Sequence, residues 1–456
     1  MAASKVFATG LALLVASACS AQATSQSSSP PSSSQGAHSE SHRSGHHVQV
    51  PDDDAPSQPA ELAQAEAAIE KRDYTAAEGL LQKLTTRDSS SYVAWFDLGF
   101  VENALGHVDD SIAAYRKSVA AKPDVFESNL NLGLQLAKQG RPDAETFLGA
   151  ATHLKPTSHA AEGQYRAWLA LGHAIESSKP DEAVDAYRQA ADFQPKEAEP
   201  HLAAGQLMEK ENKFADAECE YKQALSLDAR STDAVIGLAN IYMRGRKFSE
   251  AEEYLRKLLA SGSDVQSAAV HIQLGRVLAA ESKTEDAIAQ LQQGIKLAPG
   301  DDAAQRDLAE LYASSGKNDL AESAYRGLIT LHPNEAALHR SLGRALLRER
   351  KFPEAEQEFV ITLKINPALG EAYGDLAFAA SERGDYALVI RALDARVKLL
   401  PEIPITYFLR ASAYDHLRDV KKAEANYRLF LKTAKGKYPD QEWQATHRLN
   451  ALEPKK

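Results

Sequence analysis

From about residue 58 onward, apolar residues recur three and four positions apart in blocks of about 12 to 14 residues, with short polar turns between blocks. This is the period of helices that each bury one stripe. A small residue returns once in every second block: Ala65, Gly99, Gly133, Gly172, Gly205, Ala239, Gly275, Ala309, Gly343, Ala377 and Ala411. Seven of the ten gaps between them are 34 residues and the others are 39, 33 and 36. A fixed period of this length predicts a repeat array, in which each unit buries its apolar face only against its neighbours.

Other positions keep step with the small residue. Leu precedes it at Leu98, Leu132, Leu171, Leu238, Leu274, Leu308, Leu342 and Leu376. A second small residue follows eleven or twelve positions later, as at Ala77, Ser111, Ala144, Ala183, Ala217, Ala251, Ala287, Ala321, Ala355 and Ala423. Four residues on stands a large apolar group, as in Tyr115, Tyr187, Tyr221, Leu291, Tyr325, Phe359 and Tyr427. Prolines such as Pro123, Pro156, Pro195, Pro299, Pro333, Pro367 and Pro401 then stop the second helix. Two helices with short turns fit each period, and the small residues let their backbones approach.

The unit from Tyr92 to Val125 carries Trp95, Leu98-Gly99, Ser111, Tyr115, Ser118 and Pro123; that from Asp302 to Glu335 carries Leu308-Ala309, Tyr312, Ala321, Tyr325 and Pro333. On these residues the chain resembles the tetratricopeptide repeat family over residues 58–437, about eleven units. The resemblance implies an all-α fold: an α-solenoid of about eleven helix-turn-helix repeats in a right-handed superhelix, whose first helices line a concave binding surface. Three departures stand out. Ala65 begins a degenerate unit without the Leu or Pro, Val389 replaces a small residue, and the 39-residue gap lengthens the helix around His159 to Leu171. Residues 438–456 read as a capping helix, with Trp443, Thr446, Leu449 and Leu452, followed by a tail.

The N-terminal end differs in kind. Lys5 followed by the largely apolar run Val6 to Ala18 reads as an export signal, too short to span a membrane as a helix. Val15-Ala16-Ser17-Ala18-Cys19 resembles a bacterial lipobox, which would end the signal peptide at residues 1–19 and lipidate Cys19. Cleavage after Ala21 or Ala23 would instead release a soluble protein. Residues 20–57, rich in Ser, Pro and His, form a disordered tether. The expected location is the periplasm or cell-envelope membrane surface of a bacterium. His38, His42, His46 and His47 admit metal capture by the tether, though nothing preorganises them, and no metal site is expected in the array.

Charge and motif content narrow the function. The net charge of −11 and the lack of basic, aromatic-interleaved runs argue against nucleic-acid binding. With two cysteines, disulfides do not hold the fold, and Cys219 reads as a packed, inert thiol. No HExxH, phosphate loop, G-x-S-x-G elbow or dinucleotide fingerprint occurs. Acid pairs such as Asp109-Asp110, Glu252-Glu253 and Asp301-Asp302 fall at turns or helix starts, and His173, His271 and His339 lack triad partners. No catalytic residue and no cofactor are expected.

The resemblance places ligand-facing positions on the first helices. There Arg340, Arg344 and Arg348 share one face, and Arg276 and Arg306 hold equivalent places in the two preceding units. They form a candidate basic strip for carboxylates, or, paired with acids such as Asp307 and Glu310, a solvated ladder. Nearer the N-terminus the same positions are Phe96, Phe100, Leu130 and Leu134, either a hydrophobic groove for a peptide or a surface covered by the first unit or the tether. The family's carboxylate clamp is matched only by Asn131 and in part by Arg166, so a chaperone C-terminus is not the expected ligand. The leading expectation is a non-enzymatic scaffold that binds a protein or peptide in envelope assembly or secretion. The alternatives are an envelope factor positioning a polysaccharide biosynthesis or export enzyme, and a periplasmic metal binder using the tether.

Overall fold

The computed structural model describes residues 59–262 and 267–452. The expected signal peptide, Cys19, the tether and its histidines lie outside these residues. The described chain contains 23 α-helices and no strand. The first eleven are α1 (Ala60–Glu70), α2 (Tyr74–Arg87), α3 (Tyr92–Leu105), α4 (Val108–Ala121), α5 (Phe126–Lys138), α6 (Ala144–His153), α7 (Ala160–Ile175), α8 (Pro180–Phe193), α9 (Glu199–Lys210), α10 (Phe214–Leu227) and α11 (Thr232–Arg244). There follow α12 (Phe248–Ala260), α13 (Ala268–Ala280), α14 (Thr284–Leu297), α15 (Asp302–Ser314), α16 (Asn318–Leu331), α17 (Ala336–Arg348), α18 (Phe352–Ile365), α19 (Gly370–Arg383), α20 (Tyr386–Arg396), α21 (Pro404–His416), α22 (Val420–Ala434) and α23 (Pro439–Leu452). Odd and even helices up to α22 make eleven hairpin pairs. They fall into two compact units divided between Ile241 and Tyr242.

Ten of the eleven hairpins turn through a left-handed residue, all but that between α7 and α8: Gly106, Gly140, Gly316 and Gly384 in some repeats, Arg72, Asn212, Arg246, Ser282, Arg350 and Arg418 in others. The next residue's N–H then bonds the carbonyl five positions back, as in His107 to Glu102 at 2.8 Å, Lys213 to Met208 at 2.8 Å and Lys351 to Leu346 at 2.9 Å. These bonds satisfy carbonyls that the helix end would leave bare. Left-handed backbone costs a non-glycine residue about 1–2 kcal/mol, so the turn geometry persists where glycine does not because the repeat packing imposes it.

The small periodic residue is a socket. A Cβ built on Gly99 would stand 2.7 Å from the Tyr115 ring; on Gly172, 2.5 Å from Tyr187; on Gly205, 2.8 Å from Tyr221; and on Gly343, 2.6 Å from Phe359. Each of these rings is buried, a term worth roughly 1.5–3 kcal/mol per large side chain. Tyrosines in this place also send the hydroxyl to an acid at the end of the first helix, Tyr187 to Glu176 at 2.9 Å and Tyr221 to Glu209 at 2.8 Å. The lengthened unit resolves into α7, whose 16 residues make it the longest described helix, preceded by a shortened α6 of 10 residues. In the other departure, Val389 is fully buried on α20, which has 11 residues.

Candidate functional site

The first helices of the second unit carry four of the five candidate arginines on α15 and α17, and Arg276 on α13. Three of the five are engaged by acids of the following repeat. Arg276 Nε donates to Asp307 Oδ2 at 2.6 Å. Arg306 grips Glu335 with two parallel bonds of 2.6 and 2.7 Å. Arg340 pairs with Glu371 at 2.6 Å and Asp375 at 2.7 Å on α19. The hydrogen bond from Arg306 holds the Glu335 carboxyl below the usual carboxylate range. The ladder reading therefore describes Arg276, Arg306 and Arg340, although Arg306 and Arg340 find their acids one repeat further along than the neighbours considered from sequence.

The other two arginines differ. Arg348 is exposed and donates to the Ala313 carbonyl at 2.5 Å, at the end of α15. Arg344 is exposed and has no hydrogen-bond or ion-pair partner among the described residues. Tyr325 on α16 lies within the electrostatic reach of Glu310, Arg344 and Arg348, and burial first, then Glu310, raises its pKa. Glu310 is exposed on α15. The surface thus offers one unpaired guanidinium and one exposed carboxylate from neighbouring first helices.

Of the two alternatives for the apolar positions of the first unit, a groove or a covered surface, Phe96 and Leu130 follow the second. Phe96 and Leu130 are 2% and 4% exposed and belong to the continuous core that runs from Leu62 to Ala167. Phe96 packs beside Tyr115, with ring centroids 5.7 Å apart. Phe100 and Leu134 are half-buried against the same core, and Phe100 meets the edge of Tyr74 at 6.2 Å. The reason is local: α2 and its Tyr74 close over Phe100, so the degenerate first repeat acts as a lid. Asn131, a clamp position, spends its amide on the Glu127 carbonyl at 2.8 Å.

Residues set aside on sequence grounds have structural partners. His339 is buried, with Nδ1 2.7 Å from Glu358 and Nε2 3.0 Å from the Pro333 carbonyl; His271 meets Gln290 at 2.8 Å. His201 meets Glu220 at the same spacing of 19 residues. The same register reaches the carbonyl six residues back with different side chains, Trp95 to Ser89 at 3.0 Å, Asn129 to Pro123 at 2.8 Å and Gln305 to Pro299 at 2.7 Å. Among the paired acids, Asp109 binds Arg141 at 2.8 Å, Glu252 binds Arg256 and Lys283, and Asp301 caps α15 through the Ala304 N–H at 2.9 Å. Cys219 is half-buried rather than fully packed.

A recurring inter-repeat pair escaped sequence reasoning. The lysine that opens a second helix reaches back to an acid on the second helix before it: Lys179 to Glu145 at 2.7 Å, Lys283 to Glu252 at 2.6 Å, Lys317 to Glu285 at 2.8 Å and Lys351 to Glu322 at 2.6 Å. A search for lysine 29 to 34 residues after an acid would have found it. No helix among the described residues is long and apolar enough to cross a membrane.

Two family models, both described as tetratricopeptide repeat, match the chain, one at 62–125, 101–159, 272–336 and 306–368, the other at 210–274. Cellulose synthase operon protein C of Xanthomonas axonopodis pv. citri (strain 306) is 32% identical over 165 residues, covering 33% of this chain and 10% of that protein. Hsp70-Hsp90 organizing protein 1 of Glycine max is 24% identical over 238 residues, covering 50% of this chain and 40% of its own. The chain therefore spans between a tenth and two fifths of these relatives. Among solved structures, YrrB, a TPR protein with an unusual peptide-binding site, is 23% identical with a TM-score of 0.37, covering 41% of this chain and 96% of that one. The C-terminal part of a TPR repeat-containing protein from Cytophaga hutchinsonii is 17% identical with a TM-score of 0.46, covering 53% and 98%. With the family models covering 62–159 and 210–368, and eleven helix pairs that repeat one packing scheme, the chain belongs to the tetratricopeptide repeat family.

Proposed function

We propose that this protein is a non-enzymatic interaction scaffold that binds a protein or peptide along the first-helix face of its second unit, in assembly or secretion at the bacterial cell envelope. The observation that carries the reading is Arg344. An exposed guanidinium without an acceptor among the described residues, set in a row where Arg276, Arg306 and Arg340 each have one, is suited to take a ligand's carboxylate. Exposed Glu310 on the neighbouring first helix supplies the opposite charge, so a ligand with a carboxylate followed by a basic group would be held in one orientation. The export signal and the lipobox-like stretch ending at Cys19, both read from the sequence, support the envelope location.

Arg344→Glu is the direct test, because it reverses this charge without breaking an internal pair. Affinity capture from bacterial membranes with the full chain should lose its partner while far-UV circular dichroism stays unchanged. Equal partner recovery would remove the basic-face reading.

A second reading rests on the name of one relative. The likeness to cellulose synthase operon protein C favours an envelope factor that positions a polysaccharide biosynthesis or export enzyme. Capture of a glycosyltransferase or polymer-export component would select it; capture of secretin or barrel-assembly components would select the first.

A further inference from the structure

The first unit holds a group of side chains that neither the ladder nor the repeat packing explains. We propose that Glu78, Glu102 and His107 form a binding site for a divalent transition-metal cation of the zinc class, joining the first repeat to the second. Glu78 stands on α2, Glu102 near the end of α3, and His107 at the turn into α4. Their ligand atoms, one carboxylate oxygen from each glutamate and one ring nitrogen, all lie within 4.8 Å of one another.

The turn builds this arrangement. Gly106 takes the left-handed conformation at φ 86°, and the His107 N–H bonds the Glu102 carbonyl at 2.8 Å. That fold-back sets His107 Nδ1 2.8 Å from Glu102 Oε2. Glu102 is 5% exposed, so its carboxylate is presented by packing, whereas the His107 ring is half open to solvent. Ligand atoms held about 2.0–2.2 Å from one zinc ion stand no more than about 4.4 Å apart. In a tetrahedral site they stand about 3.4 Å apart, so the trio closes by up to about 1.4 Å, a movement that the half-open His107 ring can supply.

The surroundings favour a cation with open coordination positions. The three residues line a cavity of about 510 Å³ together with Gln82, Trp95, Asp110 and Lys117. Glu78, Glu102 and Asp110 outnumber Lys117, which leans over the Trp95 ring at 5.9 Å. Gln82 donates to Glu78 at 2.9 Å and holds that carboxylate in place. One histidine nitrogen with two carboxylates suits zinc and its neighbours better than calcium or magnesium, which prefer all-oxygen shells. The one remaining coordination position of a four-coordinate ion, or the two of a five-coordinate one, would face the cavity and carry water.

The test uses the full chain with cobalt(II) and zinc(II) as probes, by isothermal titration and by the visible absorption of bound cobalt. A background in which His38, His42, His46 and His47 are replaced by Gln separates this site from the tether. That background should still bind one cation per chain, with a cobalt spectrum and a higher melting temperature in zinc. Adding His107→Gln or Glu78→Gln should each weaken binding at least tenfold and abolish the thermal shift, with helicity unchanged. Uptake that disappears with the tether histidines, or that is equal in background, His107→Gln and Glu78→Gln chains, would overturn the proposal.

Discussion

The two units give the same register positions opposite chemistry. At the fifth residue of a first helix the first unit has Phe96 and Leu130, both buried, and the second has Arg306 and Arg340, both joined to acids of the next repeat. Both arrangements rest on one hairpin, the small-residue socket and the left-handed turn. What differs is how neighbouring first helices are joined: by apolar contact in one unit and by ion pairs in the other. Apolar joints exclude water and consume the surface, whereas charged joints leave the surface solvated and one arginine unpaired. The repeat therefore fixes where a position lies on the first helix, and the side chain decides whether it is packed, paired or left exposed.

The severest way to break the comparison is to give the first unit the second unit's chemistry. Phe96→Arg places a cation inside the apolar core, and the lost ring alone is worth about 3–5 kcal/mol. Thermal or urea unfolding followed by hydrogen exchange should show the first repeats opening while those beyond Tyr242 keep their protection. A substitution that left both units equally stable would mean that Phe96 is not core.

The shared element should respond alike in both units. Gly99→Val and Gly343→Val each drive a side chain into a buried ring, at 2.7 and 2.6 Å from the first carbon, and each should cost about 1–3 kcal/mol. A large difference between the two would show that the socket is not equivalent.

The smallest effect comes from acid. Hydrogen bonds from Lys283 and Arg256 bring the Glu252 carboxyl down to about 2 from its usual 4.5. Because the folded value is depressed, the stabilisation is complete above pH 4.5 and is lost as pH falls toward 2. Lys283 and Arg256 are about half exposed, so screening limits the loss to ~1 kcal/mol. Glu335 and Glu322, also depressed by their basic partners, add to it in the second unit. Unfolding followed between pH 5 and 2 should show Glu252→Gln flattening part of this loss.

The sequence carries the period, the sockets and the helix stops because each is a local demand repeated at fixed spacing: Gly99 and Tyr115 are 16 residues apart within one hairpin. The site was less legible because its partners lie a repeat away. Nothing local marks Glu335 as the acceptor for Arg306, or Asp375 for Arg340; only the 29- and 35-residue separations do. The half-burial of Phe100 was equally hidden, since it depends on Tyr74 of α2 closing over α3 and the first repeat lacks the motif's Leu and Pro. The bond to the carbonyl six residues back was obscured for another reason: Trp95, Asn129, Gln305 and His339 share only a polar hydrogen.

The central claim is that the first-helix face of the second unit touches a partner. A photo-crosslinking residue placed at Arg344, compared with one at Gly327 on the second helix α16, tests it in the living cell. Gly327 has open space around it, so the probe fits there without disturbing the fold. The account predicts a discrete protein adduct at 344 and none at 327; adducts of equal yield at both positions, or at 327 alone, would contradict it.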